Sequence, residues 1–104
     1  MILYFNFVTK TVDYLKSSYN IADKLSFEAI KTASWIMAVK PLGSGDYTKY
    51  PESKINVAMQ KFKRNATKED YSELIDLIID DLANKKHIIS EHKDEIIAEL
   101  RKFV

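Results

Sequence analysis

Glycine and proline are confined to one short segment of this chain. Only two glycines and two prolines occur among the 104 residues, and all four lie within residues 41–51. These residue types are the strongest interrupters of regular secondary structure, so long uninterrupted elements are expected on either side. We therefore predict two helical halves joined by a central loop, residues 40–51. A chain of this length supports one hydrophobic core, so residues 1–104 are interpreted as a single domain.

Apolar side chains recur at helical spacing on both sides of the central loop. The pattern predicts a first helix over residues 3–19 and a second that begins between residues 22 and 26 and ends at 39. A third helix is predicted over residues 55–65. A fourth lies between a cap at residue 67 and a turn at 84–86, and a fifth begins at residue 90. Thr67 and Asp70 have the spacing of a capping box, and Ser90 is a candidate N-cap. The expected fold is a mostly all-α bundle of four to five helices. Residues 2–8 are rich in aromatic and β-branched types, which leaves a short strand open there.

The residue inventory argues against catalytic and cofactor chemistry. There is no cysteine, and the only histidines, His87 and His92, are five residues apart, which does not place them on one helical face. Residues 43–45 read Gly-Ser-Gly but lack the third glycine and the lysine of a phosphate-binding loop. We predict no catalytic residue, no metal site and no cofactor.

Features that would direct the chain to or through a membrane are missing from the sequence. The apolar residues 2–8 lack the basic flank and cleavage site of a signal peptide. No apolar stretch reaches the roughly 18 to 20 residues that a membrane-spanning helix needs. A cysteine-free chain also suits a reducing compartment, so we expect a cytoplasmic protein without a membrane partner.

Charge is unevenly distributed along the chain. Residues 1–66 carry ten basic and five acidic side chains, whereas residues 67–104 carry six and ten, which gives net charges of +5 and −4. In the fourth predicted helix, Glu73, Asp76 and Asp80 lie opposite the apolar stripe. Such an acidic surface is suited to a basic partner, because opposed potentials speed encounter and favour correct docking.

A nucleic-acid partner is the less favoured interpretation of the charges. One basic cluster could neutralise phosphates, and a helix-turn-helix can be drawn over residues 54–82; the cluster consists of Lys61, Lys63, Arg64 and Lys68. As a recognition helix, however, the next helix would direct four acidic side chains toward the DNA backbone, where like charge costs affinity; these are Glu69, Asp70, Glu73 and Asp76.

Two tyrosines in the central loop are candidate contacts for a protein partner. Tyr47 and Tyr50 lie in a polar segment beside the glycines. Exposed aromatic side chains on loops are common anchors of protein recognition. The alternative is that both rings fold back over the bundle and seal its end.

The same loop resembles a segment of the small helical immunity proteins that inhibit nuclease colicins. Residues 45–51, Gly-Asp-Tyr-Thr-Lys-Tyr-Pro, are similar to that family's glycine or serine turn followed by Asp, three residues and Tyr-Pro. The resemblance covers about residues 25–64 and implies that Asp46 and Tyr50 contact a toxin nuclease, with Pro51 ending the segment. The chain differs from the family in having Lys49 where a second tyrosine is usual and in lacking an acidic second helix.

These features favour a non-enzymatic inhibitor of the immunity or antitoxin type, which would bind and block a basic, nuclease-like bacterial toxin. The expected partner-binding residues are Asp46, Tyr47, Tyr50, Glu73, Asp76 and Asp80. Two alternatives stay open: a small nucleic-acid-associated regulator, and a helical bundle that forms a homodimer through its aromatic N-terminal helix.

Overall fold

The described residues form five α-helices and three short 3₁₀ helices. The computed structural model describes residues 2–104, which contain no β-strand. The α-helices are α1 (Ile2–Tyr19), α2 (Asp23–Val39), α3 (Glu52–Asn65), α4 (Lys68–Asn84) and α5 (Lys93–Arg101). The 3₁₀ helices are Lys40–Leu42, Tyr47–Lys49 and Ser90–His92. The predicted all-α bundle is confirmed.

The strand considered for residues 2–8 is wrong, because these residues form the first two turns of α1. Tyr4 and Phe7 are both buried, at 6% and 0% exposure. A spacing of three places two side chains on the same face of a helix, whereas in a strand they would point to opposite faces. Burial of both residues against the same core therefore selects the helix over the local preference for β-structure.

The second helix, α2, lies at the centre of the bundle. It packs against α1, α3 and α4, while α5 packs against α4. The buried face of α2 carries small side chains, including Ala29, Ala33 and Ser34, which let neighbouring helices approach closely. The Ser34 hydroxyl also shares a buried hydrogen bond of 2.7 Å with the Tyr4 hydroxyl, which joins α2 to α1.

The apolar stripe predicted for α4 is the most deeply buried part of the protein. Leu74, Ile75, Ile78 and Leu82 are completely inaccessible to solvent, and Tyr71 is 1% exposed. The Tyr71 ring contacts Phe7 of α1 and Phe62 of α3, with ring centroids 5.3 and 6.4 Å away. The buried side of α4 therefore joins α1 and α3 in the hydrophobic core.

Of the two helix starts predicted from side-chain caps, one is confirmed and one is wrong. The Thr67 hydroxyl accepts a hydrogen bond from the Asp70 backbone N–H, and the Asp70 carboxylate accepts one from the Thr67 N–H at 2.9 Å. Ser90 makes no capping hydrogen bond and lies in a 3₁₀ helix, so α5 begins only at Lys93. The neighbouring Ile88 is buried, so packing rather than a side-chain cap directs the chain into this last helix.

Replacing Leu74 by alanine tests the central role of the α4 stripe. We expect Leu74→Ala to lower the free energy of unfolding by about 2 to 5 kcal/mol, because the substitution removes a fully buried side chain and leaves a cavity. Chemical denaturation would measure the loss. The exposed Val57→Ala on α3 is a matched control that should change stability by less than about 0.5 kcal/mol. Equal effects of the two substitutions would contradict this assignment of the core.

Candidate functional site

The central loop contains more regular structure than its composition predicts. The 3₁₀ helix Lys40–Leu42 continues directly from α2, and a second one, Tyr47–Lys49, precedes α3. Between them, Gly43 has a φ of +122°, a conformation that glycine adopts without steric cost. The loop therefore has a defined path across the end of α2.

Asp46 holds the second 3₁₀ helix of the loop in place. Its carboxylate accepts hydrogen bonds from the Thr48 backbone N–H, at 3.1 Å, and from the Thr48 hydroxyl. These hydrogen bonds favour the charged carboxylate and hold the pKa of Asp46 below its usual range. Asp46 is exposed, so a partner can reach a side chain that already has a structural role.

The two loop tyrosines are partly buried and pack against the edge of the core. The centroid of the Tyr47 ring lies 5.2 Å from the centroid of the Trp35 ring on α2. The Lys31 ammonium group is 5.0 Å from the centre of the same Trp35 ring. The loop thus folds back over α2, in agreement with the alternative that the two rings cover the end of the bundle. Part of each tyrosine stays exposed to solvent.

The predicted acidic residues Glu73, Asp76 and Asp80, here called the acidic face, are all exposed on α4. Two of them form ion pairs: Glu73 with Lys40 at 2.8 Å, and Asp80 with Lys93 at 2.7 Å. Asp76 lies between them and makes no ion pair with any residue of the described chain. The acidic face therefore combines one unpaired carboxylate with two that are bound to lysines from other elements.

The structure brings the loop and part of the acidic face together. A surface cleft of about 320 Å³ is lined by Lys40 and Gly45 of the loop and by Glu73 and Asp76 of α4, with apolar side chains between them. Asp80 lies one turn further along α4, beside α5. The ring of Tyr47 contacts Trp35 on α2 and does not line this cleft. Of the six residues predicted as partner contacts, only Glu73 and Asp76 line this cleft.

Sequence reasoning missed a larger groove between α3 and the C-terminal end of α2. This groove has a volume of about 610 Å³ and is bounded by α3, by Met37 and Ala38 of α2, by the 3₁₀ helix Lys40–Leu42 and by Asp70 at the start of α4. Its walls include Leu42 and Val57, which are 50% and 66% exposed. The only signal in the sequence was Val57, an apolar residue on α3 that lies outside the predicted buried stripe.

The basic cluster considered for nucleic-acid binding is divided over different surfaces. Lys61 lines the groove between α3 and the end of α2, whereas the Lys63 ammonium group lies 5.3 Å from the centre of the Tyr4 ring. Lys68 lines a third depression together with Arg101.

The two histidines have separate surroundings. His92 packs against the ring of Tyr19 at 5.4 Å between centroids, and His87 is partly buried after the end of α4. Within residues 2–104, no group of three or more histidine, aspartate or glutamate side chains is arranged to hold a metal ion. None of the helices in this part of the chain is long and apolar enough to cross a bilayer.

Comparisons of the chain with known protein families, curated proteins and solved structures found no match. The resemblance of residues 45–51 to the colicin immunity proteins therefore stays a prediction.

The hydrogen bonds of Asp46 predict how the loop responds to acid. Because the pKa of Asp46 is lower in the folded protein than in the unfolded chain, its charged carboxylate stabilises the fold fully at any pH above the pKa of the unfolded chain. This stabilisation is lost as the pH falls through the lower pKa of the folded protein. We expect the Thr48 amide resonance to titrate with a midpoint below that of an unstructured aspartate. In Asp46→Asn, which keeps an acceptor oxygen but cannot titrate in this range, the transition should disappear; a midpoint at or above the ordinary value would contradict the assignment.

Proposed function

We propose that this protein is a non-enzymatic inhibitor of the immunity type, which binds a basic, nuclease-like bacterial toxin through the central loop and the acidic face. The observation that carries the proposal is their adjacency. Two segments selected for different reasons, one by its tyrosines and turn and the other by its carboxylates, meet at the cleft between Gly45 and Asp76. Two segments that meet in this way can contact one partner together.

The ion pairs of the acidic face are compatible with binding a basic partner. Glu73 and Lys40 have side-chain exposures of 55% and 57%, and Asp80 is 55% exposed. Ion pairs at such exposure contribute only about 0 to 1 kcal/mol, because solvent screens them. Lysine or arginine side chains of a partner can therefore replace Lys40 at little cost and also reach the unpaired Asp76, whereas Lys93 is 32% exposed and is displaced less readily.

The aromatic side chains beside the loop provide the apolar part of the proposed surface. Trp35, Tyr47 and Tyr50 are each partly exposed, and Tyr47 is held against Trp35. Tryptophan and tyrosine are enriched among the residues that dominate binding energy at protein interfaces. Rings already fixed by packing lose little conformational freedom when a partner binds. A cysteine-free chain suits action in the cytoplasm, where such an inhibitor would meet its toxin.

Binding kinetics with the candidate toxin, the product of a neighbouring gene, would separate the two contributions. Tyr50→Ala should weaken binding mainly by raising the dissociation rate, because an anchor at an interface can contribute about 2 kcal/mol or more. The double variant Asp76→Asn/Asp80→Asn should instead slow association, and the difference should shrink as salt screens the charges. Surface plasmon resonance at several salt concentrations would measure both rates.

Asp13→Asn on α1 is the matched control for the charge variants, because Asp13 is exposed and lies outside the proposed surface. It should leave both rates unchanged. Unaltered kinetics in folded Tyr50 and Asp76/Asp80 variants would place the interface elsewhere. A toxin that is neither bound nor inhibited by the wild-type chain would contradict the proposed function itself.

A separate observation favours the homodimer as a second candidate. Phe5 of α1 and Phe27 of α2 are 54% and 50% exposed and line a common depression of about 400 Å³ beside Trp35. We call these three residues the aromatic patch. Exposed apolar patches of a small protein often mark interaction sites, and a twofold pair of chains would cover this one.

Sedimentation can test the homodimer through its dependence on salt. Lys31 and Lys63 also line the depression of the aromatic patch, so two copies would bring like charges together. We expect any dimer to strengthen with added salt, which is opposite to association with a basic toxin. Phe5→Ser/Phe27→Ser should abolish it, whereas Val57→Ser, at a more exposed apolar residue outside the aromatic patch, should not. A monomer at all salt and protein concentrations would rule this candidate out.

A further inference from the structure

The groove lies between α3 and the C-terminal end of α2, where the chain continues into the 3₁₀ helix Lys40–Leu42. Met37 and Ala38 of α2 line it, and α4 contributes only Asp70. The open groove has a volume of about 610 Å³, and its floor includes Ala58 and Phe62 of α3. Both residues are 8% exposed, so the floor belongs to the edge of the hydrophobic core.

The walls of this groove expose apolar surface that no part of the described chain covers. Leu42 and Val57 are 50% and 66% exposed and face the groove from two different elements. Single apolar side chains are common on protein surfaces, but here they border a concave, largely apolar volume. A volume between about 300 and 1,000 Å³ with such a lining is typical of small-molecule sites.

Two lysines on α3 give the groove a positive charge. Lys54 and Lys61 both line it and are seven residues apart, which is about two helical turns and places them on the same side of α3. Neither lysine forms an ion pair within residues 2–104. The one acidic residue of the lining, Asp70, is already bound to the Thr67 N–H in the capping box.

We propose that this groove binds a small amphiphile with an aliphatic tail and a carboxylate head, of the size of a medium-chain fatty acid. The tail lies over Ala58 and Phe62 between the walls formed by Leu42 and Val57. The carboxylate is attracted to the unpaired lysines of α3, whose long apolar stems can extend along the tail while their ammonium groups stay in water. This site is distinct from the cleft between the loop and α4, because the unpaired charges of the groove are the positive ones of Lys54 and Lys61, whereas the unpaired charge of the cleft is the Asp76 carboxylate.

Titration with dodecanoate below its critical micelle concentration tests the proposal directly. Calorimetry should show saturable binding, and amide resonances of residues 57–58 and of Leu42 should shift. Dodecyltrimethylammonium has the same tail with the opposite charge and should bind at least about tenfold more weakly. Butyrate keeps the head but lacks most of the apolar area and should not bind measurably.

Substitutions of exposed residues separate specific binding in the groove from nonspecific hydrophobic association. Lys54→Gln/Lys61→Gln should weaken dodecanoate binding about three- to tenfold, which is the effect of removing exposed ion pairs. Val57→Asp should weaken it more than tenfold by placing a negative charge in the groove. Lys10→Gln, which removes an exposed lysine on α1, is the matched control and should have no effect. Melting temperatures would verify that all variants fold.

Several outcomes would overturn the proposal. These are no saturable binding of dodecanoate, equal binding of the cationic amphiphile, unchanged affinity in Val57→Asp, or resonance shifts confined to the aromatic patch. Because none of these measurements uses a toxin, they distinguish failure of the amphiphile site from failure of the proposed inhibitor function.

Discussion

Close packing of three helices on α2 is the constraint on which the rest of the structure depends. A helix can be approached from three sides only if its own side chains are short there, and Ala29, Ala33 and Ser34 are almost completely buried. Larger side chains at these positions would push α1, α3 or α4 outward and open the core. The Ser34 hydroxyl forms a hydrogen bond with the Tyr4 hydroxyl, so this polar side chain is buried without the cost of an unpaired oxygen.

The central position of α2 also determines where the protein has accessible surfaces. The C-terminal end of α2 and the 3₁₀ helix Lys40–Leu42 form one side of the apolar groove, and α3 forms the other. The loop from α2 to α3 must cross the end of α2, where Tyr47 packs on Trp35 and Lys40 reaches Glu73 of α4. Both candidate sites are thus consequences of one packing arrangement.

Features that depend on spacing along the chain could be predicted from the sequence. The apolar stripe of α4 and the capping box at Thr67 follow from local patterns of three or four residues, and the position of the central loop follows from its glycines and prolines. Residues 2–8 and Ser90 show the limit of such patterns. Local preference allowed a strand in the first case and a cap in the second, and burial of Tyr4, Phe7 and Ile88 determined the outcome.

The partners of the charged and aromatic side chains could not be predicted, because they are distant in sequence. The acidic face was correctly placed on the exposed side of α4, yet nothing in the sequence pairs Glu73 with Lys40 or Asp80 with Lys93. Both members of the first pair line the cleft between the loop and α4. Pro41 and Leu42, which follow Lys40 in the same 3₁₀ helix, line the groove, and Met37 of α2 lines both depressions. The cleft and the apolar groove therefore share a wall formed by the C-terminal end of α2 and the 3₁₀ helix that continues from it.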